Sequence, residues 1–555
     1  MRVRGESSFA PARSGRASRR RGAFALIAGG LSVLIMALLC GAVLPAMARA
    51  ATRASMPTPA PTSWTLASSL PQGAGGFAPV TTVHGSRSIV VWSVARGNYL
   101  CNLWSATAAA PWGGWPTPAL LDTQALSGWL FNRLVTGAGG ETALVWLRQD
   151  DPGHVSLHVR LMSADAHEWG PDTTLVSVPW VSGGPEMGDF RVWVAPSGAV
   201  TVAWMALKDD GGPEPIIERS WDPLSAAWSA ARVISDDAHC ALLSLTGAAN
   251  GEVTAAWNHW WQYDVSTLEP GATAWTAPLD LAPGGWTFGL FRNTFPVVTN
   301  HAGTTVAAWS EYTTGGSASG NILYVCVRPA GSTEWGSPVP LVNASDADFN
   351  YDPQLVLDAN DRFLLVAGTY LTATTRSLAA FSADSTAQTW DSSTLVPSVA
   401  WTDAFEVAGD AQGGVVVLFD RGGSVGYATT SLYATERVDP SASWSSPELL
   451  SVTAWKTGND AGGVMQVGGY PAPQLVVTHD GIVAATWRDA AAVKVAYSGA
   501  QMVAPTITPK VTLKLSGLRY GAMRLGRSGS VIRRAVLRYR HRGVQPIAWC
   551  REPSG

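Results

Sequence analysis

Residues 294–341 read TFPVVTNHAGTTVAAWSEYTTGGSASGNILYVCVRPAGSTEWGSPVPL. Four short runs rich in β-branched and apolar residues stand out, at 295–299, 304–310, 322–328 and 338–342. Between them lie His301-Ala302-Gly303, a Gly/Ser-rich loop, and a turn that ends in Glu334-Trp335. Runs of this length separated by turn residues predict four antiparallel strands joined as hairpins. The pattern returns about every 50 to 60 residues along the chain.

Two columns of large residues count the repeats. The second run of each repeat ends in Trp92, Trp146, Trp204, Trp257, Trp309, Ala367, Phe419 or Trp487. A second column opens the last run, often as Trp-x-x-Pro-x-x-Leu: Trp64, Trp115, Trp169, Trp228, Trp275, Trp335, Trp390 and Trp444. Each column has eight members, but the second is shifted so that Trp64 precedes any complete repeat. The last repeat, residues 470–499, lacks a closing run, and residues 63–70 read as that strand supplied from the other end of the chain.

A tight turn recurs between the first two runs: His84-Gly85, Gly139-Gly140, Ser197-Gly198, Asn250-Gly251, Ala302-Gly303, Asn360-Asp361, Gly413-Gly414 and Asp480-Gly481. These pairs tolerate positive φ. Repeats of this kind cannot bury both faces of a sheet alone and stack on their neighbours. The reading is an all-β fold, an eight-bladed β-propeller over residues 63–504 with seven blades as the alternative, in which both Trp columns pack between blades.

The turns before the last strands, Ser163-Ala164-Asp165-Ala166-His167-Glu168-Trp169 and Ser382-Ala383-Asp384-Ser385 running on to Trp390, resemble degenerate Asp-box turns of bacterial sialidase-type propellers. The resemblance implies the fold. Sialidases also carry a Phe/Tyr-Arg-Ile-Pro segment and an arginine triad that clamps a substrate carboxylate. Here Phe190-Arg191-Val192-Trp193 and Phe291-Arg292-Asn293-Thr294 only echo that segment, so no sialidase site is carried over. Residues 505–527 resemble the opening of the immunoglobulin-like domains appended to secreted propellers, and the Arg-rich remainder of 505–555 is either a basic tail or a truncated domain of that kind.

Seven arginines within residues 1–22 precede an apolar run at 23–48, which marks 1–50 as an export signal, cleaved near Ala48-Arg49-Ala50 or kept as a membrane anchor. Residues 51–62 form a Pro/Thr/Ala spacer. The net charge of −3 hides two halves: residues 51–509 hold 19 Lys and Arg against 39 Asp and Glu, while 510–555 hold 11 against one. An acidic body repels phosphate backbones, which excludes nucleic acid as a partner. Cys101, Cys240, Cys326 and Cys550 are scattered over different repeats and read as small buried residues rather than a disulfide framework.

No Gly-x-Ser-x-Gly elbow, His-Glu-x-x-His motif or phosphate loop is present, and His259 and His301 stand singly. The expected role is an exported or cell-surface binding protein, monomeric and without a cofactor, whose partner is a glycan or a surface protein. The alternative is a glycan-active enzyme, a hydrolase or lyase using carboxylates at the ring mouth. Aromatics recur in the outer-to-inner connections, Trp129, Trp180, Trp286, Tyr351, Trp401 and Trp455, and Trp260 and Trp261 join them from a neighbouring loop. Exposed indole faces suit sugar rings or cationic groups, so these eight form the candidate ligand rim. Asp346, Asp348, Asn350 and Asp352 space oxygen side chains as the first half of a calcium loop does, without its Gly and closing Glu.

Overall fold

A computed structural model describes Trp64 and most of residues 68–498, with gaps in the connections, all within one compact unit of the chain. The segments 1–62 and 505–555 lie outside the described residues. Every described element is a β-strand, and no helix is long and apolar enough to cross a membrane.

The strands group into eight successive antiparallel units. Unit 1 holds Gly76–His84, Arg87–Gly97, Leu100–Ala108 and Ala119–Leu126; unit 2 holds Asn132–Thr136, Thr142–Asp151, His154–Met162 and Thr173–Val181. Unit 3 holds Met187–Val194, Val200–Ala206 and Ile216–Asp222, and unit 4 holds Cys240–Gly247, Val253–His259, Gln262–Leu268 and Leu279–Asp280. The fourth strand of unit 3 is split into Ala227–Trp228 and Arg232–Ser235, both paired with its third. Unit 5 holds Val297–Thr299, Thr305–Thr313, Gly320–Arg328 and Val339–Pro340. Unit 6 holds Asp348–Leu357, Phe363–Thr372, Thr375–Ala383 and Trp390–Ala400, and unit 7 holds Phe405–Gly409, Val415–Arg421, Thr429–Arg437 and Glu448–Lys456. Unit 8 takes Gln474–Val477, Val483–Arg488 and Ala492–Ser498 from the end of the chain and Ser68–Ala74 from its start. One departure from separate four-stranded sheets is a bridge between Ala125 and Arg148, which makes the sheets of units 1 and 2 continuous.

The closing strand pairs Ser68 with Val495 and Ser69 with Lys494, a few residues later than the 63–70 expected. The shift has a general cause. In units 1 to 5 and 7 the fourth strand begins four residues after its Trp: Trp115 and Ala119, Trp169 and Thr173, Trp228 and Arg232, Trp275 and Leu279, Trp335 and Val339, Trp444 and Glu448. Trp64 and Ser68 keep the same spacing. The amide after the Trp donates to a third-strand carbonyl, as Gly170 does to Leu161, Thr276 to Thr267 and Gly336 to Val327. In units 1, 4, 5 and 7 a proline follows, Pro118, Pro278, Pro338 and Pro447, which has no N–H to give the ladder and delays regular pairing.

Second strands are apolar without alternation because both of their faces are covered. Ile89 to Trp92, Ala143 to Leu147 and Leu364 to Ala367 are buried throughout. All eight first-column residues are buried, Trp92, Trp146, Trp257, Trp309, Ala367 and Phe419 at 0% exposure. Among the described residues there are eight apolar clusters, seven shared by two successive units and the one around Trp204 reaching from unit 1 through unit 2 to unit 3, and each contains or packs against one member of both columns. The cluster of Trp487, between units 7 and 8, takes Trp64 as its second-column member. The cluster of Trp92 joins unit 8 to unit 1 through Leu70, Val493, Val495 and Tyr497.

The first strands touch in the same cyclic order, and Gln474–Val477 of unit 8 meets Gly76–His84 of unit 1. Edge amides that no strand pairs are met by side chains of the preceding unit. Val297 N–H donates to Ser244 Oγ (3.3 Å), Thr299 N–H to Thr246 Oγ1 (3.0 Å) and Val407 N–H to Gln354 Oε1 (3.1 Å). Such acceptors satisfy an edge that otherwise invites strand addition.

The turn between first and second strands is also uniform. Gly140, Gly198, Gly251 and Gly303 donate N–H three residues back, and Gly303 sits at φ 93°. Asp361 fills the same place in unit 6 at φ 60°, as the sequence substitution requires. Cys101 and Cys326 are buried free thiols, pushed up to about 11 by burial.

Candidate functional site

In an antiparallel four-stranded unit the fourth-to-first connections and the second-to-third loops leave from the same end. The three members of the aromatic set that lie on described strands, Trp180, Tyr351 and Trp455, fall at that end. Trp180 and Trp455 are the penultimate residues of fourth strands, and Tyr351 lies in the first half of the first strand of unit 6. Trp129, Trp260, Trp261, Trp286 and Trp401 fall in the connections and loop themselves, outside the described residues. Trp180 is half-buried and packs on the cluster between units 2 and 3, so this member serves the core. Of the calcium stretch, Asp346 lies outside the described residues, and Asp348, Asn350 and Asp352 fall on a strand with irregular pairing rather than in a loop. Among the described residues no group of three metal-ligating side chains occurs.

Polar chemistry that the sequence did not single out gathers between units 1 and 2. Ser156, His158 and Arg160 are alternate residues of one strand and share a face, beside Trp146 and Arg148 of the neighbouring strand. His158, 4% exposed, places Nδ1 at 2.8 Å from Asp172 and Nε2 at 3.6 Å from Asp150. Arg148 reaches the same two carboxylates, at 3.6 Å from Asp172 and 3.5 Å from Asp150. Across the seam, Asp122 of unit 1 accepts the Trp146 indole N–H at 2.7 Å. Burial pushes the Asp172 carboxyl up, but the hydrogen bond from His158 and the charges of His158, Arg160 and Arg148 outweigh it and hold it below the usual range.

Farther along the seam, toward the third-to-fourth turns, lies an open pocket of about 360 Å³. Arg160, His167, Glu168 and Trp169 form the unit 2 wall, facing Ser105, Thr107, Thr117 and Leu120 of unit 1. The turn that carries His167 to Trp169 is anchored from unit 1. Arg87, 6% exposed, donates to the carbonyls of Ser163, Ala164 and Ala166 at 2.9, 2.8 and 2.7 Å, and Trp169 Nε1–H donates to Ser105 Oγ at 3.1 Å.

Two further charged groups sit on first strands. Asp189 accepts from Arg133 of the preceding unit (3.3 Å) and from its own neighbour Arg191. Burial, with the charge of Arg191 beside it, brings Arg133 down to about 10 despite the opposing pull of Asp189. Glu406, beside Gln354, is pushed up to about 8 by burial. His301, exposed and paired with Asp361, is the hydrogen-bonded surface residue its isolation in the sequence suggests.

No protein-family model matches the sequence, and no curated protein matches it. Among solved structures the chain is similar to a lectin from Burkholderia pseudomallei, at 14% identity over 70% of this chain and 98% of that one, TM-score 0.43. It is similar to a polysaccharide lyase, ulvan lyase, at 8% identity over 67% and 95%, TM-score 0.41. It is also similar to the β-propeller domain of the Trilobed protease from Pyrococcus furiosus, at 8% identity over 68% and 98%, TM-score 0.37. At these identities and scores the likenesses assign no ligand or activity to this chain.

Proposed function

We propose that this protein is an exported, eight-bladed propeller that binds a glycan or a surface protein through the end bearing its fourth-to-first connections. One observation carries the reading: Trp180, Tyr351 and Trp455 lie on strands at the end of the fourth-to-first connections, and the sequence puts Trp129, Trp260, Trp261, Trp286 and Trp401 in the connections and loop of that end. The cyclic order of the clusters supports the blade count, with units 8 and 1 joined through Leu70. The leader at 1–50 supports export, and the acidic body favours ligands that are neutral or cationic.

The test is a binding screen of the secreted chain against glycans and cell-wall polymers, followed by Trp286→Ala, Trp401→Ala and Trp455→Ala. Loss of binding at an unchanged unfolding midpoint supports the reading; full binding with lowered stability refutes it. Closure has its own test. Deleting residues 63–74 removes the fourth strand of unit 8, whereas deleting 51–62 removes only spacer, so equal melting of the two truncations would refute eight closed blades.

Calcium at Asp346, Asp348, Asn350 and Asp352 belongs to the same reading. It requires that calcium raise the melting temperature and that Asp348→Ala abolish the rise. A second reading, a glycan-active enzyme, is favoured by the convergence of Asp150 and Asp172 on His158. Hydrolysis or elimination that disappears in Asp150→Asn would replace the first reading with the second.

A further inference from the structure

The pocket between units 1 and 2 lies toward the end opposite the aromatic set, and its chemistry points to a ligand of its own. Its volume, about 360 Å³, falls within the range of roughly 300–1,000 Å³ typical of small-ligand sites. Two facts show that its walls are held before any ligand arrives. The Arg87 guanidinium fastens the turn at Ser163 to Ala166, and the Trp169 indole fastens the end of that turn to Ser105 across the seam.

Inside this frame Arg160 is under-used. Its Nε is buried and has no hydrogen-bond partner among the described residues, and its Nη2 meets only Leu121 O at a long 3.5 Å. Nε is enclosed by the protein, so what is left for a ligand oxygen is the terminal pair of nitrogens, whose one hydrogen bond among the described residues is that long one. Opposite in charge, Glu168 is exposed and offers a carboxylate acceptor on the same wall. A guanidinium and a carboxylate set opposite charges on one wall, which favours neither a free anion nor a free cation. Leu120, 45% exposed, adds an apolar contact, and Thr117 adds a hydroxyl.

A group that both gives and accepts hydrogen bonds at adjacent positions and carries a C–H face matches this set. We propose that the pocket binds a neutral pyranose residue through a vicinal diol, with Arg160 donating to one hydroxyl oxygen, Glu168 accepting from its neighbour, and the C–H face of the ring on Leu120. The site is separate from the aromatic end and does not depend on what binds there. A single sugar in an open pocket gains few contacts, which sets the affinity in the millimolar range.

The test titrates the exported chain with the methyl glycosides of mannose, galactose, glucose and fucose, read by ligand-observed NMR, with tetrahydropyran-2-methanol as a ring lacking the diol. At least one glycoside binds saturably and the control does not. Arg160→Met and Glu168→Gln each weaken that binding about tenfold or more at an unchanged unfolding midpoint, while Trp401→Ala and Trp455→Ala leave it as it was. Glu168 is exposed, so its variant folds and keeps the test decisive even where Arg160→Met destabilises the seam. Absence of saturable binding by every glycoside overturns the proposal, as does binding that survives both pocket variants or that is lost only in the two Trp variants.

Discussion

The seam between units 1 and 2 and the seam between units 4 and 5 are built on the same strands in the same register, and they are filled with opposite chemistry. Around Trp309 the second seam places Tyr263, Phe295 and Tyr324, with ring centroids 5.5, 6.1 and 5.9 Å from the indole. Around Trp146 the first seam places the His158 ring at 5.5 Å and the Asp122 carboxylate at 2.7 Å from the indole nitrogen. Trp92, Trp204, Trp257, Trp309 and Trp487, its five Trp counterparts, keep the indole N–H buried with no acceptor in the protein among the described residues. The column residue is therefore conserved in role as volume, whereas its polar atom is used in one seam only. Phe419, which occupies the position in unit 7 with no polar atom and 0% exposure, makes the same point.

What the two seams share is the quantity with the largest expected effect. Truncating either column Trp leaves a cavity lined by two units, so Trp309→Ala and Trp146→Ala should each cost about 3–5 kcal/mol by urea unfolding. A cost under about 1 kcal/mol at either position would mean that the indole is not what fills that seam.

The next effect separates them. Trp309→Phe removes part of the ring together with an unpartnered N–H, and these changes offset, leaving stability within about 1 kcal/mol of the parent. Trp146→Phe makes the same volume change but leaves Oδ2 of Asp122, a residue 8% exposed, without its donor, and should cost about 1–3 kcal/mol more. In an Asp122→Ala background that excess should vanish, since the cycle isolates the pair. Equal costs for the two Phe variants would break the distinction between the seams.

The difference in legibility between these seams has a physical origin. The Trp columns recur at fixed offsets because each seam between successive units needs a similar volume, so periodicity reveals them, and Trp64 packs against the cluster of Trp487. The polar filling answers to no period. Asp122 and Trp146 belong to different units, and His158 and Asp172 meet only because a third strand and the approach to the fourth lie side by side. Arg160 and Glu168 read in the sequence as an ordinary strand cation and an ordinary turn carboxylate, and the pocket exists only once units 1 and 2 are packed. The start of most fourth strands is hidden for a related reason: the Trp looks like the first residue of a strand whose pairing waits four residues more, except at Trp390, which does open its strand.

The smallest effect divides the seams by pH. In the first seam the Asp172 carboxyl is raised by burial but lowered further by His158, Arg160 and Arg148, and its folded value lies below the usual carboxylate range. Its contribution to stability is present above the unfolded value near pH 4 and is lost as the pH falls through the lower folded value. In the second seam the Tyr324 phenol is raised above its ordinary value by burial and by the charge of Glu311. Its contribution is present below about pH 10 and is lost as the pH rises through the higher folded value. Both groups are partly exposed and screened, so each effect should be about a few tenths of a kcal/mol and visible only as a difference between variant and parent. Unfolding midpoints across pH should therefore show Asp172→Asn departing from the parent mainly in how its acid limb falls, and Tyr324→Phe mainly in how its alkaline limb falls. Should the two difference curves coincide, the ionic filling of one seam and the aromatic filling of the other would not be distinguishable in the stability of the folded chain.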